Sequence, residues 1–305
     1  MQVHYSLDNL PLFRRAVVTI GTFDGVHTGH QKIIEALKEE ALKTGGETIV
    51  ITFQPHPRKI VTNDSLQLIN TLEEKIELLA QYNIHHLVVV PFTNAFAEQP
   101  AEAYIEHFLV AKFHPHTVII GYDHQFGKNR QGNFSLLQQY AEKLNYQLIE
   151  IPKQVLNEIA ISSTKIRNAL LDSDIETANT LLGYAYFFSG LVVAGDRIGR
   201  RLNYPTANLV YTDSDKICLG HGVYAVMVTV NGEEKGGMLS IGTRPTLHNS
   251  EEKIEVHIFD FNNDIYGQTI RVTVKKFLRH QVKFSNLDEL TQQLDRDKEE
   301  SLKWL

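Results

Sequence analysis

The run Gly21-Thr22-Phe23-Asp24-Gly25-Val26-His27-Thr28-Gly29-His30-Gln31 stands between two stretches of different periodicity. Before it, Val17-Val18-Thr19-Ile20 is short, apolar and β-branched, as in a buried strand. After it, Ile33, Ile34, Leu37 and Ala41 recur at helical spacing. A strand, a glycine-rich turn and a helix start are the opening of a βα unit, which commits the chain to parallel pairing. The helix start carries two histidines, His27 and His30. A helix N-terminus with small residues leaves backbone N–H groups free to bind phosphate. Imidazoles placed there can bind a polyphosphate and offset charge on a leaving pyrophosphate.

The spacing His27-Thr28-Gly29-His30 resembles the signature of the nucleotidylyltransferase superfamily. A lone match of this length is a chance turn in about half of cases. The strand before it, the helix after it and further phosphate-suited segments downstream narrow the reading.

The chain has 305 residues, which suggests two domains. Strands at Thr48–Phe53, Leu87–Val90, Thr117–Gly121 and Gln147–Ile151 alternate with helices at Thr71–Tyr82, Ala101–Ala111 and Leu136–Leu144. Thr71 and Glu74 have the spacing of a capping box. The alternation predicts an α/β domain with a parallel sheet covered on both faces. Ligands of such sheets bind at the carboxyl ends of the strands, where Gly21 and Gly121 both lie. The pattern changes near Tyr184. Short strands at Leu191–Ala194, Gly222–Val230, Gly236–Ile241, Ile254–Phe261 and Thr269–Phe277 follow, with turn signals such as Asn231-Gly232. They predict a small antiparallel barrel closed by a helix over Leu287–Leu305. The expected domains are residues 1–184 and 185–305.

A hydrophobic content of 43% and a charged content of 22% fit a globular protein. A net charge of −6 argues against nucleic acid as partner. No apolar run is long enough to span a membrane, and Met1-Gln2-Val3-His4 does not begin a signal peptide. The single cysteine, Cys218, suits a reducing cytoplasm and reads as a packing residue rather than a nucleophile. No Cys/His set has zinc-site spacing, and His85-His86 reads as a surface feature.

Three segments extend the first motif. Gln54-Pro55-His56-Pro57-Arg58 follows one strand, and Gly121-Tyr122-Asp123-His124-Gln125-Phe126-Gly127 follows another. The latter is not a P-loop, because its glycine spacing is one too long and Asn129 stands where Ser or Thr is required. In Ser162-Ser163-Thr164-Lys165-Ile166-Arg167, hydroxyls open a helix and Arg167 falls on the face of Ser163 and Thr164. An arginine fork there suits phosphate.

In this order, the segments resemble the N-terminal domain of bacterial FAD synthetases. The resemblance implies adenylyl transfer from ATP to FMN with release of pyrophosphate. It implies an ATP and phosphate site at Gly21, Phe23, Asp24, Gly25, His27 and His30, completed by Asp123, Ser163, Thr164 and Arg167. His27 and His30 would be catalytic through phosphate contact. Many relatives carry Asn where Asp123 stands.

The barrel half has its own signature. Gly195-Asp196-Arg197-Ile198-Gly199-Arg200 precedes Asn203-Tyr204-Pro205-Thr206-Ala207-Asn208. Gly222-Val223-Tyr224-Ala225, Gly242-Thr243-Arg244-Pro245-Thr246 and Ile254-Glu255-Val256-His257 follow. Thr206 and Asn208 are two apart, so on an extended segment they share a face, and a hydroxyl with an amide oxygen suits Mg²⁺. Glu255 points away from Ile254 and Val256; a lone strand glutamate of this kind is usually a solvated one.

This set resembles flavokinase (riboflavin kinase) over about 120 residues. The resemblance implies that Glu255 accepts the riboflavin 5′-hydroxyl proton. It implies that Gly195, Arg197, Gly199, Arg200, Pro205, Thr206, Asn208 and Arg244 hold ATP and flavin, with Mg²⁺ on Thr206 and Asn208. Asn203, Leu219 and Ser240 depart from residues usual in that family, which have Gly, Pro and Asn there.

Together, the two resemblances imply a bifunctional, cytoplasmic enzyme of FAD biosynthesis. It would use ATP, riboflavin, FMN and Mg²⁺, with no nucleic acid or membrane partner and with self-association allowed. The competing readings are a monofunctional adenylyltransferase with an inactive flavin-binding barrel, a flavin sensor, and transfer to another phosphorylated acceptor.

Overall fold

In the computed structural model, which describes residues 1–62, 65–152, 161–195, 199, 202–245 and 250–305, the apolar runs form two separate sheets. The chain divides into two compact units. Met1–Leu66 with Leu72–Ser162 forms one, and Gln67–Thr71 with Ser163–Leu305 forms the other.

The first unit holds a parallel sheet of β1 (Gln2–His4), β2 (Val17–Ile20), β3 (Thr48–Gln54), β4 (His86–Pro91), β5 (Thr117–Gly121) and β6 (Gln147–Ile151). Its order is β1-β4-β3-β2-β5-β6. β2 is buried along its whole length, as continuous apolar strands covered on both faces must be. The chain proceeds to β3 on one side of β2 and returns as β5 on the other. That reversal opens a crevice beyond the carboxyl ends of β2 and β5, where ligands of open parallel sheets bind.

Helix α1 (Thr28–Thr44) packs on β2, β3 and β5 through Ile34, Leu37 and Ala41 and stops at Gly45, whose φ of 65° suits glycine. Truncating fully buried Leu37 to Ala would cost about 2–5 kcal/mol. Then come α2 (Pro57–Val61), α3 (Leu72–Ala80), α4 (Asn94–Ala97), α5 (101–113) and α6 (Phe134–Leu144). The expected helix at Ala101–Ala111 is present, but Tyr104–Val110 winds as a π-helix. Tyr104, Ile105, Phe108 and Leu109 all face the core, a spacing that the wider turn accommodates better than 3.6 residues.

The second unit begins with α7 (Ser163–Leu171) and α8 (Ile175–Leu182). β7 (Phe187–Val193), β8 (Ala207–Tyr211), β9 (Gly222–Val230), β10 (Glu233–Pro245), β11 (Ser250–Ile258) and β12 (Thr269–Arg279) follow, then α9 (Leu287–Leu302). The strands close into an antiparallel barrel in the order β10-β11-β8-β7-β12-β9. Asn231 and Gly232 both adopt positive φ, 53° and 83°, the conformation that lets a two-residue loop match strand twist. Along β11, Ile254, Val256 and Ile258 are buried while Lys253 and Glu255 are half-exposed, so Glu255 lies on the outer face.

A short segment from the N-terminal half completes this unit. Leu68 pairs with Lys216 in a parallel bridge, its N–H donating to the Asp215 carbonyl at 2.6 Å. The buried Lys216 ammonium donates to the carbonyls of Ile69 (2.7 Å) and Phe187 (2.8 Å).

Candidate active sites

The first site is built by the turn that follows β2. Phe23 (φ 48°) and Val26 (φ 37°) are both left-handed, with Gly25 (φ 89°) between them. For Phe and for β-branched Val this conformation costs about 1–3 kcal/mol each, strain of a kind that concentrates at ligand sites. Its result is compact: Phe23, Asp24 and His27 are buried within the turn. His27 caps α1, its Nδ1 accepting the His30 N–H at 3.3 Å. That bond places the proton of the neutral ring on Nε2. The two imidazoles stack at 3.7 Å, and Phe23 closes on His30 at 4.9 Å. Gly29 leaves room for this stack, because a Cβ there would stand 3.2 Å from the His27 ring.

Burial sets the charge of this cluster. Desolvation lowers His27 to about 4 despite the nearby Asp24 carboxylate. His30 is held well below the ordinary histidine value by burial, with His27 and Lys75 adding to the shift. Its Nδ1 is buried without a hydrogen-bond partner, an exception that calls for a ligand or a strain role. At neutral pH both rings are therefore neutral donors rather than cations in the free protein. This modifies the expectation that they carry the compensating charge. The cation acting on His30 is Lys75 of α3, which the sequence reading did not single out. Lys75 is 5% exposed. Its ammonium donates to the Thr22 carbonyl at 2.8 Å and lies 3.5 Å from Thr52 Oγ1. The signal was present as a lysine on the apolar stripe of a helix, between Leu72 and Leu78-Leu79.

At the end of β5, Gly121 leads to exposed Asp123 and to His124, which burial lowers to about 4. His56 of the Pro-His-Pro segment caps α2, accepting the Arg58 N–H at 3.2 Å. Ser163, Thr164 and Arg167 open α7 in the second unit, as the helix-start reading expects. Thr164 is exposed; Arg167 is buried, and its Nε donates to the Gln67 carbonyl at 2.8 Å.

The barrel site sits on the outer face of β8 and β11. Glu255 and Asn208 are directly paired across these strands. Thr206 Oγ1 donates to Glu255 Oε1 at 3.4 Å, and the Lys253 ammonium stands 3.0 Å from the same oxygen. Two of the predicted glycines are explained by close approach. A Cβ on Gly195 would fall 2.0 Å from the Asn208 amide, and one on Gly199 would fall 2.1 Å from the Tyr204 carbonyl. Pro205 presents its carbonyl to His257 Nδ1 at 2.7 Å. A cavity of about 450 Å³ adjoins Thr206, walled by Pro205, Val256, Phe261, Asn262 and Tyr266 among others. Arg197 and Arg200 lie outside the described residues. Of Arg244 the structure describes the backbone, on β10 opposite Glu251.

The three departures from the flavokinase pattern have local explanations. Asn203 has a φ of 61°, which asparagine tolerates better than most residues and which accounts for a glycine in relatives. Leu219 is buried. Ser240 Oγ accepts from Gln281 Nε2 at 2.9 Å. Cys218 donates to Glu252 Oε2 at 2.9 Å, and burial pushes its thiol up to about 12, far from thiolate chemistry. His85 is exposed, as a surface feature is expected to be, and its Nδ1 accepts the Thr48 N–H at 3.0 Å, at the start of β3.

A turn with two histidines at the switch point of a parallel sheet, in one chain with a barrel that brings a carboxylate beside neutral oxygen donors, is an arrangement that suits a nucleotide-dependent transferase. Comparison with known proteins gives the same division. Residues 11–165 match the FAD synthetase family, and residues 182–305 match the riboflavin kinase family. The bifunctional riboflavin kinase/FMN adenylyltransferase of Listeria monocytogenes is 38% identical over 93% of this chain and 91% of its own. The Bacillus subtilis and Escherichia coli proteins of the same name are 37% and 36% identical over 95% and 92% of this chain, and 92% and 90% of theirs. A solved structure described as a macrolide-efflux protein from Streptococcus pneumoniae superposes with a TM-score of 0.90, at 30% identity over 99% of both chains. Among the described residues, no helix is long and apolar enough to cross a membrane. The chain belongs to the bifunctional riboflavin kinase/FMN adenylyltransferase family.

Proposed function

We propose that this chain converts riboflavin to FMN on its barrel and FMN to FAD on its parallel-sheet half, with residues 185–305 and 1–184 as the respective domains. In the first step, Glu255 accepts the proton of the riboflavin 5′-hydroxyl. The freed oxygen bonds to the γ-phosphorus of ATP as the bond to the β-phosphate oxygen breaks, leaving ADP. Both neighbours of Glu255 engage Oε1, which leaves Oε2 to receive the proton. The cavity beside Thr206 has the size and mixed lining of a pocket for a substrate ring system.

In the second step, an FMN phosphate oxygen bonds to the α-phosphorus of a second ATP, and pyrophosphate leaves. The attacking oxygen is already anionic, so no protein nucleophile is needed. The turn contributes alignment, the α1 N-terminus and the His27 Nε2–H donor. Ser163, Thr164 and Arg167 are assigned to phosphate binding in adenylyl transfer, and Asp123 to nucleotide binding. Arg197, Arg200 and Arg244 are assigned to the phosphates of the kinase reaction.

The Thr206 hydroxyl and the Asn208 amide oxygen are hard donors and fit Mg²⁺ better than a softer metal. When bound, Mg²⁺ would neutralise phosphate charge. Both reactions are assigned to the cytoplasm, where ATP and riboflavin meet.

The observation that carries this proposal is the juxtaposition of Glu255, Thr206 and Asn208 in a protein that also has the His27–His30 turn. Chromatography of products tests it, with riboflavin, ATP and Mg²⁺ in one tube and FMN, ATP and Mg²⁺ in another. FMN and FAD are expected from the first tube, and FAD from the second. FAD from the second tube alone would mean an adenylyltransferase with an inactive barrel. No product in either would reject the enzymatic assignment.

A further inference from the structure

The backbone ladder that carries the barrel site ends just short of Thr206. Between β8 and β11 it runs from Ile254↔Leu209 through Glu255↔Asn208 to Val256↔Ala207. Thr206, whose hydroxyl meets Glu255, and Pro205 before it lie beyond that end. Proline has no N–H with which to extend a ladder. The bond found there comes from a side chain instead. His257 is the next residue of β11, and its Nδ1 stands 2.7 Å from the Pro205 carbonyl oxygen. A carbonyl oxygen can only accept, so Nδ1 carries a proton and donates it. Burial lowers His257 from its ordinary value, so at neutral pH the ring is neutral and this is its one proton. The residue is 8% exposed. Its ring is held edge-on by Tyr204 at 5.0 Å and by Phe259 at 5.6 Å. Tyr204 is anchored in turn, its hydroxyl donating to Asp295 of α9 and its N–H to the Gly199 carbonyl at 2.9 Å. Glu255 and His257 are two apart on one strand, so their side chains leave the same face.

We propose that His257 is a positioning residue of the kinase site: its Nδ1–H pins the Pro205 carbonyl and so sets the Thr206 hydroxyl against the Glu255 carboxylate, where the sheet no longer does. One strand face then carries both the proposed base and the clamp on the hydroxyl beside it, and a single rigid element sets their spacing. His257 acts through the Pro205–Thr206 peptide, without contact to riboflavin or ATP. The inference rests on the assignment of riboflavin phosphorylation to this barrel.

The test is steady-state FMN formation by the full-length protein, with riboflavin and ATP each varied. His257→Leu fills the site and removes the donor. His257→Gln keeps an amide but carries it one bond beyond the Nδ1 position. His257→Asn places its amide nitrogen where Nδ1 stands. Far-UV circular dichroism and Trp304 fluorescence in urea report whether each variant is folded. His257→Leu is expected to lower kcat about tenfold, with KM for riboflavin and for ATP changed less, because a misplaced hydroxyl weakens the aligned reacting state more than ground-state binding. His257→Gln should share the loss, and His257→Asn should recover most of it. A residue that served packing alone would be replaced better by Leu than by Asn, which is the reverse order. A folded His257→Leu with kcat within about twofold of the parent overturns the inference. So does a His257→Asn that is no better than His257→Leu, folded or not. If His257→Leu does not fold, His257→Gln takes its place under the same limits. If neither folds, His257 is a residue of the fold and the inference fails. A parent that forms no FMN would instead overturn the kinase assignment itself.

Discussion

The two sites assigned to ATP are built in opposite ways. The Gly21–His30 turn is folded inward: Phe23, Asp24 and His27 are buried, and burial lowers both of its histidines. The barrel site is laid on an outer strand face, where Glu255 and Lys253 each keep 29% of their side-chain surface exposed. The difference follows the chemistry. Adenylyl transfer to an anionic oxygen needs alignment and fixed dipoles, which a rigid buried turn supplies. Phosphorylation of a neutral hydroxyl calls for a base within reach of its proton, the role proposed for the Glu255 carboxylate.

This contrast can be broken by experiment. Glu255→Gln removes the proposed base and keeps the shape, so FMN formation should fall about 10³-fold. FAD formation from supplied FMN should stay at the parent rate; a parallel loss would mean that the sites are not independent. His30→Ala should do the reverse and lower FAD formation about 10²-fold while FMN formation from riboflavin persists. If both product rates fell, the assignment of the buried turn to one reaction would fail.

Acidification should separate the two units by stability. His27 and His124 have folded-state values of about 4, below the 6.5 of an unfolded chain. Between those values the unfolded state binds protons that the folded state does not. Stability is therefore full above pH 6.5 and falls as the pH drops toward 4, on the order of 3 kcal/mol per ring. Trp304 is the single tryptophan and lies in the second unit. Urea melts at pH 7.5 and 5 should move the far-UV transition more than the Trp304 fluorescence transition. Equal shifts would show that burial of these rings does not dominate. A smaller effect is expected for Gly195→Ala, whose Cβ would displace the Asn208 amide. KM for ATP in FMN formation should rise about tenfold, with FAD formation from FMN unaffected.

What the sequence revealed depended on whether function followed from local backbone. The turn was legible because glycine, histidine and a following helix declare their own geometry within eleven residues. The Pro205–Asn208 element was legible because extended spacing places Thr206 and Asn208 on one face. β8 itself was not recognised as a strand, since it is only five residues long and Asn208 interrupts its apolar run. The charge state of His27 and His30 was also hidden, because burial is a property of packing and not of spacing. Lys75 stood out only as a lysine on an apolar helix stripe, and its partner, the Thr22 carbonyl, is 53 residues away. Asn203 shows the opposite case, where an apparent departure from a family pattern preserves the backbone angle that the pattern exists to supply.

The five residues Gln67–Thr71 carry a last consequence. They leave the first unit at Leu66 and rejoin it at Leu72, yet they pair with Lys216 and Ile217 and accept from Arg167 in the second. A gene split at any one position downstream of Thr71 would separate the barrel from part of its own fold. A barrel expressed from residue 163 onward would lose the Leu68 bridge and the Ile69 acceptor of Lys216. The two chemistries should thus be easy to separate by point mutation and hard to separate by scissors, and this interleaving is a physical reason for such a pair of activities to be inherited as one chain.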